Sequence, residues 1–477
     1  MQPSNESIKV TVGPIIGKVT HNTARVLVEF TKSEQVVCYL QSPSGEVKTC
    51  YSTSKANVPI VFSFDNLKPK TQYRVTLSCP LSRGESSFWT LRENNDNPGS
   101  LKTGLVSCNE IVRQYMKPKD KDLWAHLGGL VRSHALDYVF HIGDQVYMDV
   151  AGDDKTKHIY GKCHKILSET SKKKWKSKVP ELLELLRQEY RRTWTYPSVA
   201  FVLANVPNLM ICDDHEFRDD WGFRAEDSKP GTIDNFYGEL ARQVYYEYQR
   251  QLREDIPWDN LKSLKNEYHY HILNGVGVSF MEYRGCRSWF QEEKLKETLT
   301  GKAQKEWIFS LFKKGGKLDQ VDSTIFVTPV PFFLLSHFLS ELAYLKSNDL
   351  QEHYTYHNVP QLIELLDLLR EWKERRQGRE ILIAAGDAHL GGWTDVWYKK
   401  KKIFSQFVSS AINSAEATKV EKAILDVLMK VGRLNKDYSF FHYEWKRENN
   451  FGLIETSQVN KVSKIQSTLV IYPEGKK

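Results

Sequence analysis

Two oxygen-bearing side chains stand close together where an apolar run of the sequence ends. In "YVFHIGDQVYMD" (138–149), Asp144 follows the run and Tyr147 comes three residues later. If the chain turns helically after Gly143, both side chains lie on one side of the loop, where a carboxylate and a phenol could bind a metal ion. An aspartate that caps a turn, followed by a packing tyrosine, would account for the same spacing.

A dense group of acids follows a second apolar run. The segment "CDDHEFRDDW" (212–221) holds five acidic residues and one histidine within eight positions. Clustered carboxylates repel and desolvate one another unless a cation or a proton offsets them. A solvated helix start rich in aspartate is the alternative interpretation.

A carboxylate and an imidazole stand two residues apart in "ILIAAGDAHLGG" (381–392). In an extended chain Asp387 and His389 project to the same side, which suits a metal ion. A capping aspartate beside an unrelated histidine would also fit. Cys108 ends a further apolar run, "SLKTGLVSC", where a lone cysteine is more often a small core residue.

The chemical types of these groups narrow the metals that they could bind. Thiolate and phenolate ligands must lose a proton, which requires a strongly polarising cation. Calcium or magnesium alone would not select a thiolate, whereas neighbouring carboxylates suit a second, harder ion. Two cations that share a carboxylate are the arrangement of two-metal phosphoryl hydrolysis.

The candidate ligands are predicted to follow the ends of β-strands. After residue 100, strand-like runs alternate with helical patterns in a βαβ rhythm, and functional groups of such folds lie just beyond the carboxyl ends of the strands. Residues 8–95 instead contain short strand-like runs separated by turn signals, which predicts a small all-β sandwich. The polar segment 92–100 reads as a linker, and residues 155–190 are Lys-rich and helical.

Composition is that of a globular protein of two or three domains. The chain has 477 residues, of which 40% are hydrophobic and 26% charged, and its net charge is +8. Much of the excess positive charge lies in the Lys runs 171–178, 312–317 and 398–402. These runs are interpreted as solvated surface, and the more specific alternative is contact with an anionic substrate or a membrane. The seven widely spaced cysteines do not form a disulfide framework. With no apolar signal segment and no membrane span in the sequence, a cytoplasmic location is predicted.

The motifs together resemble those of the alkaline phosphatase D (PhoD-like) branch of the metallophosphoesterases. The similarity rests on the combination of His-x-Gly-Asp-x-x-Tyr, Asp-Asp-His-Glu and Gly-Asp-x-His, in the family's order. It implies an α/β (α+β) fold: a metallophosphoesterase-type two-sheet β-sandwich flanked by helices over residues 98–477, with the Lys-rich insertion at about 155–190. A fibronectin type III-like β-sandwich over residues 1–97 is expected to precede it.

The resemblance also implies a ligand set and a pair of metals, Fe³⁺ and Ca²⁺. The iron would be held by Cys108, Asp144, Tyr147 and His389. Asp144 would bridge to the second ion, which Asp387 also holds. The family usually has an asparagine shortly after Asp-Asp-His-Glu, and Asp220 is the preferred counterpart here.

Three further residues are candidates for catalysis. His215 is a candidate outer acid or orienting group, and Arg284 and Arg287 match an Arg-x-x-Arg of the family. A guanidinium suits phosphate oxygens, although pairing with the acidic segment would explain an arginine equally well.

The predicted function is a phosphomonoesterase that uses a metal-bound hydroxide on a small phosphoester substrate. A phosphodiesterase, including a phospholipase D-type enzyme, is the close alternative, and a non-catalytic scaffold that kept the fold is the other. No nucleic-acid partner is expected, because no basic-aromatic motif accompanies the Lys runs. A weak peripheral contact with a membrane stays open, and the sequence leaves the oligomeric state undetermined.

Overall fold

The computed structural model describes most of the chain. The described residues are 7–80, 84–93, 99–111, 122–149, 158–222, 224–264, 266–285, 300–336, 359–414 and 431–471.

The first part of the chain forms two small antiparallel sheets. Its strands are β1 (Val10–Val19), β2 (Ala24–Phe30), β3 (Gln35–Gln41), β4 (Val47–Thr53), β5 (Pro59–Phe64), β6 (Gln72–Leu77) and β7 (Ser86–Trp89). One sheet has the order β1-β2-β5 and the other β4-β3-β6-β7. Alternate residues of these strands are buried, and both sheets contribute to one apolar cluster that includes Val26, Phe62 and Tyr73.

A five-stranded sheet follows, and it combines strands from distant parts of the chain. It is built from β8 (Leu101–Val106), β9 (Tyr138–Ile142), β10 (Asn208–Ile211), β19 (Asn450–Val459) and β20 (Val462–Ile471), in the order β10-β9-β8-β19-β20. Strands β8, β9 and β10 are parallel, whereas β19 runs antiparallel to β8. Every residue of β9 and β10 is buried, as expected of parallel strands covered on both faces.

An eight-stranded mixed sheet is the largest element. Its strands are β11 (His269–Leu273), β12 (Val276–Phe280), β13 (Ser323–Thr328), β14 (Glu380–Ala385), β15 (Gly391–Tyr398), β16 (Lys401–Ser409), β17 (Val431–Arg433) and β18 (Tyr438–Lys446). The order is β11-β12-β13-β14-β16-β15-β18-β17, and β12, β13, β14 and β16 are mutually parallel. One apolar cluster joins this sheet to the five-stranded sheet through residues such as Phe140, Phe280 and Phe407.

Helices pack on the outside of the sheets. They are α1 (Leu123–Arg132), α2 (Ile159–Glu169), α3 (Trp175–Trp194), α4 (Pro197–Asn205), α5 (Ala225–Ser228), α6 (Ile233–Tyr248), α7 (Lys302–Phe312) and α8 (Val359–Glu374). The part of the Lys-rich segment that the structure describes is mostly helical and consists of α2, a short 3₁₀ turn (Lys172–Lys174) and the first part of α3. The predicted α/β class is confirmed. Among the described residues, no helix is both long and apolar enough to cross a membrane.

Candidate metal centre

Four chemically active side chains stand at equivalent positions, each two residues beyond the end of a parallel strand. Cys108 follows β8, Asp144 follows β9, Asp213 follows β10 and Asp387 follows β14. The strand register brings the first three together, because Val106 pairs with His141 and Ile211 pairs with Ile142. The centre therefore lies at the carboxyl edge of both large sheets, where functional groups of α/β folds are expected.

Asp144 is the contact shared by the predicted iron ligands. The Cys108 Sγ and the Tyr147 hydroxyl both donate to Asp144 Oδ2, at 3.4 and 3.3 Å. His389 Nε2 lies 3.5 Å from the Tyr147 hydroxyl. Thiol, phenol, carboxylate and imidazole thus converge on one point, with Cys108 fully buried and Asp144 and Tyr147 nearly so.

A second set of ligand atoms adjoins the first. One carboxylate oxygen from each of Asp144, Asp213, Asp214 and Asp387 lies within 4.8 Å of the others. Asp144, Asp214 and His215 form an overlapping group by the same measure. Because Asp144 belongs to both sets, it is the natural bridge between two neighbouring cations.

One buried carboxylate fixes the backbone of both aspartate loops. Glu216 accepts hydrogen bonds from the N–H groups of Asp144, Gln145 and Asp213, at 3.0, 2.7 and 2.8 Å. Gly143, with φ of 97°, makes this approach possible, because a Cβ at that position would overlap Asp213 Cβ. Gly143 therefore leaves room for the residue that follows the neighbouring strand.

The protonation states of the donors fit a cation. Burial raises the pKa of the Cys108 thiol to about 12, and burial followed by the neighbouring Cys108 and Asp144 raises that of Tyr147 well above its usual range. Both groups therefore keep their protons near neutral pH unless a metal ion displaces them. Asp214 Oδ1 is buried and accepts no hydrogen bond from any described residue, and the Arg284 guanidinium lies 3.3 Å from it. Thiol, phenol and carboxylates together form a donor set that fits two metal ions.

His215 is held in a fixed orientation beside the donors. Its Nδ1 is 2.8 Å from Asp149 Oδ1, and its ring stacks on that of Tyr147 with centroids 4.2 Å apart. Burial alone would lower the pKa of this imidazole, but the charges of Asp149, Asp214 and Asp144 outweigh burial and raise the pKa well above its usual value. The neighbouring carboxylates therefore favour the protonated form of the His215 imidazole.

Arg284 pairs with the acidic segment. Its side chain is 1% exposed, Nε contacts Asp213 Oδ1, and Nη2 lies 3.3 Å from Asp214 Oδ1 and 3.7 Å from Asp387 Oδ1. The sequence left two roles open for Arg284, a contact with phosphate oxygens or an ion pair with the acidic segment. In the structure Arg284 makes the ion pair. Arg287 lies outside the described residues.

The remaining sequence candidate, Asp220, is linked to the centre through its backbone. Its N–H donates to Asp214 Oδ2 at 2.8 Å, while Asp213 and Asp214 supply the carboxylates of the cluster. Sequence reasoning marked segment 212–221 but did not select these two aspartates. The signal was available, since Asp213 stands at the same distance beyond its strand as Asp144 does.

Comparison with known proteins agrees with this geometry. The family model of the PhoD-like phosphatases matches residues 104–464, which is more than half of the chain. The chain belongs to the PhoD-like phosphatase family. As a member of that family it is a phosphoric ester hydrolase.

Among solved structures, PhoD aligns with a TM-score of 0.67 at 14% identity, over 98% of this chain and 92% of the PhoD chain. At this identity the similarity establishes the fold of a PhoD-like phosphatase and nothing finer. The sensor domain of the anti-sigma factor RsgI4 of Pseudobacteroides cellulosolvens also aligns, with a TM-score of 0.16 at 23% identity over 19% of this chain and 100% of the domain. So does the β-glucuronidase of Ruminococcus gnavus, with a TM-score of 0.27 at 10% identity over 80% of this chain and 54% of the enzyme. No curated protein matches the sequence.

Proposed function

We propose that this PhoD-like phosphatase is a metal-dependent phosphomonoesterase whose reaction takes place at the candidate metal centre, beyond the ends of β8, β9, β10 and β14. The observation that carries the proposal is that Asp144 belongs at once to the thiol–phenol group and to the carboxylate group. A small phosphate ester is the proposed substrate. The two large sheets would correspond to the two-sheet β-sandwich of a metallophosphoesterase, and residues 1–97 to a separate β-sandwich domain.

The donor sets divide between two proposed ions. Cys108, Tyr147 and His389, together with Asp144, would hold Fe³⁺, because thiolate and phenolate are ligands of a strongly polarising cation. The carboxylates of Asp144, Asp213, Asp214 and Asp387 would hold Ca²⁺. In this proposal Asp220 supports Asp214 instead of binding the ion itself. When bound, the ions would supply a hydroxide nucleophile near neutral pH and offset the charge of the phosphate.

His215 would act on the leaving group. As the P–O bond breaks, its electron pair passes to the leaving oxygen, and protonated His215 gives that oxygen a proton. Asp149 keeps the imidazole in place and supports its positive charge. Arg284 would hold the carboxylates of Asp213 and Asp214 beside one another and offset part of their negative charge.

The assignment is tested by two single substitutions. Asp144→Ala and His389→Ala are expected to lower kcat on an aryl phosphate by at least about a hundredfold, because each removes a proposed metal ligand and loss of a group that only orients such a ligand already costs about 10- to 100-fold. Metal content measured by mass spectrometry should fall in both variants. Asp65→Ala is the matched control and should keep both activity and metal. It changes an exposed aspartate of the first β-region, by which we mean the two sheets formed by β1 to β7.

Turnover that survives both substitutions would refute the site. Comparing aryl monoesters with diesters on the same enzyme separates a phosphomonoesterase from a phosphodiesterase, and a faster diester reaction would overturn the monoester assignment. A fully metal-loaded protein without turnover on either ester class would favour the scaffold.

A further inference from the structure

A lysine-bearing surface lies at the end of the molecule where the parallel strands begin. The hairpin between β15 and β16 turns at Lys399 and Lys400, just before β16 starts at Lys401. The hairpin between β19 and β20 turns at Asn460 and Lys461, and it is fixed nearby because the Ser463 N–H donates to Gly378 O, two residues before β14. We call this surface the basic face and define it by Lys399, Lys400, Lys401, Lys461 and Lys464, all of which are exposed.

The positive charge of the basic face is not neutralised by its neighbours. The carboxylates of Asp395 and Glu380 are already engaged by Lys402 and Lys373, at 2.7 and 2.5 Å. Within the part of the chain that the structure describes, no carboxylate lies within 4.0 Å of the ammonium of Lys400, Lys401, Lys461 or Lys464. Asp437, whose carbonyl accepts from the Lys399 N–H, is an acid of the adjoining loop whose charge acts on the Lys399 ammonium.

The positive φ angles at the turns of these two hairpins are unfavourable for lysine. Lys399 and Lys400 have φ of 47° and 65°, and Lys461 has φ of 64°. Two-residue hairpins with positive φ at both positions prefer Asn-Gly, since β-carbons are strained there. What lysine adds at such a position is therefore its charge, and the Lys399 ammonium lies 5.0 Å from the centroid of the Tyr398 ring.

Exposed aliphatic groups accompany the lysines. Val459 and Val462 face each other in register across the Asn460–Lys461 turn, and they are 52% and 46% exposed. Beside them a groove of about 860 Å³ opens between β20 and β16, and its lining residues include Lys402, Ser463 and Lys464. Paired valines at a tip, ringed by ammonium groups, suit a boundary between charged headgroups and hydrocarbon.

We propose that the basic face binds the surface of a bilayer that contains anionic phospholipids. The lysines would contact the phosphate and carboxylate groups of the lipids, while Val459 and Val462 enter the boundary with the acyl chains. Charge complementarity and the aliphatic tip favour this partner, and a nucleic acid, whose bases could stack on the Trp393 and Tyr443 rings that line the groove, is tested beside it. The surface is separate from the metal centre, since the two lie at opposite ends of β14 and β16.

The experiment measures co-sedimentation of the purified full-length protein with vesicles. Vesicles of phosphatidylcholine with phosphatidylserine should retain the protein, and vesicles of phosphatidylcholine alone should not. The double variant Lys399→Asn with Lys400→Gly should bind the anionic vesicles about thirtyfold more weakly, since each lysine near the surface contributes about fivefold. Its thermal midpoint should be equal or higher, because Asn-Gly suits the turn, so lost binding cannot be ascribed to unfolding.

Matched controls separate this surface from bulk charge and from other polyanions. Lys173→Asn with Lys176→Asn removes the same charge at exposed positions before and in α3, and it should leave binding unchanged. Val459→Ser with Val462→Ser should weaken vesicle binding and leave the weak binding of a single-stranded oligonucleotide unaltered. The proposal is overturned by equal binding to both vesicle types, by an equal loss in the α3 control, or by lysine-dependent binding of the oligonucleotide without binding of vesicles.

Discussion

Several donors of the candidate centre have backbone torsions that residues other than glycine rarely adopt. The φ angles of Cys108, Asp144, Asp387 and His389 are 53°, 56°, 59° and 49°. Each such residue costs on the order of 1–3 kcal/mol and persists where the surrounding structure over-determines it. Here Glu216 and the adjoining loops fix the backbone of the aspartate loops. These contacts offset the strain, and they also orient the side chains toward one point.

Tyr147 is the donor whose role is easiest to test by colour. If ferric iron binds the Tyr147 phenolate, the loaded protein absorbs visible light through charge transfer from that ring. Tyr147→Phe should remove the band, because the only phenolic oxygen at the contact with Asp144 among the described residues is lost. Tyr51→Phe, at a residue 73% exposed in the first β-region, should keep it. Absorption spectra of the iron-loaded proteins make the measurement, and a colourless, fully active enzyme would refute the phenolate ligand.

At the scale of elements, the strands decide which residues meet. The repeated placement of a donor two residues beyond β8, β9, β10 and β14 could be anticipated from the apolar runs and the groups that follow them. The sequence therefore predicted the segments of the centre. It did not predict that Asp213 and Asp214 would be its carboxylates, because the choice within "CDDHEFRDDW" depends on register between β9 and β10. Glu216 accepts backbone hydrogen bonds and Asp149 contacts His215. Both contacts join separate loops, and no local sequence pattern encodes them.

Gly143 is the point where the loops after β9 and β10 approach most closely. Gly143→Ala should lower the free energy of unfolding by about 2–3 kcal/mol, because it adds both a positive-φ strain and an overlap with Asp213. Metal content should fall with it, since Asp213 must move. Gly129→Ala, in α1 with nothing near its Cβ, is the matched control and should raise stability by up to about 1 kcal/mol. Equal stability of the two variants in urea unfolding would show that the loops are free to separate.

A second element-scale prediction concerns the turn before β13. Asp319 accepts from the Gly315 N–H at 2.8 Å and from Arg379 at 3.0 Å, and these contacts, the Gly315 hydrogen bond first, lower its pKa to about 2. A lowered pKa means that the contribution to stability is present at neutral pH and is lost as the pH falls from about 4 to about 2. Asp319→Asn should therefore cost about 1 kcal/mol at neutral pH, allowing for solvent screening. In urea unfolding the difference from the wild type should shrink below pH 4, and a pH-independent difference would contradict it.

At the scale of the whole molecule, the first β-region and the centre are connected through buried polar contacts. The Asn208 side-chain amide donates to Ile16 O at 2.9 Å, and its carbonyl oxygen lies 2.8 Å from His141 Nε2. His141 in turn contacts Gln145, the residue after Asp144, at 2.7 Å. Composition and strand patterns predicted both regions, but not this contact, which depends on how their surfaces meet.

Removal of the first β-region tests whether the two regions are independent. A chain lacking residues 1–90 should aggregate, because Val12, Ile15 and Leu27 belong to the same apolar cluster as α1, α3 and α6. Soluble yield and size-exclusion chromatography make the measurement. A soluble monomer with full metal content would instead show that the rest of the chain is stable without the contacts that Val12, Ile15 and Leu27 make with the helices.

The position of β19 imposes an order of events during synthesis. Strand β8, which carries Cys108 at its end, pairs with β9 on one side and with β19 on the other, and Asn450 of β19 also donates to Ser410 O beside the centre. Cys108 is thus the first of the candidate ligands to be synthesised, and the strand that pairs with the other edge of β8 is one of the last two described strands. At 5–20 residues per second the interval is on the order of tens of seconds. During that interval the edge of β8 lacks its β19 partner, and an ion held jointly by Cys108, Asp387 and His389, as proposed, would bind only after residue 389 has been synthesised.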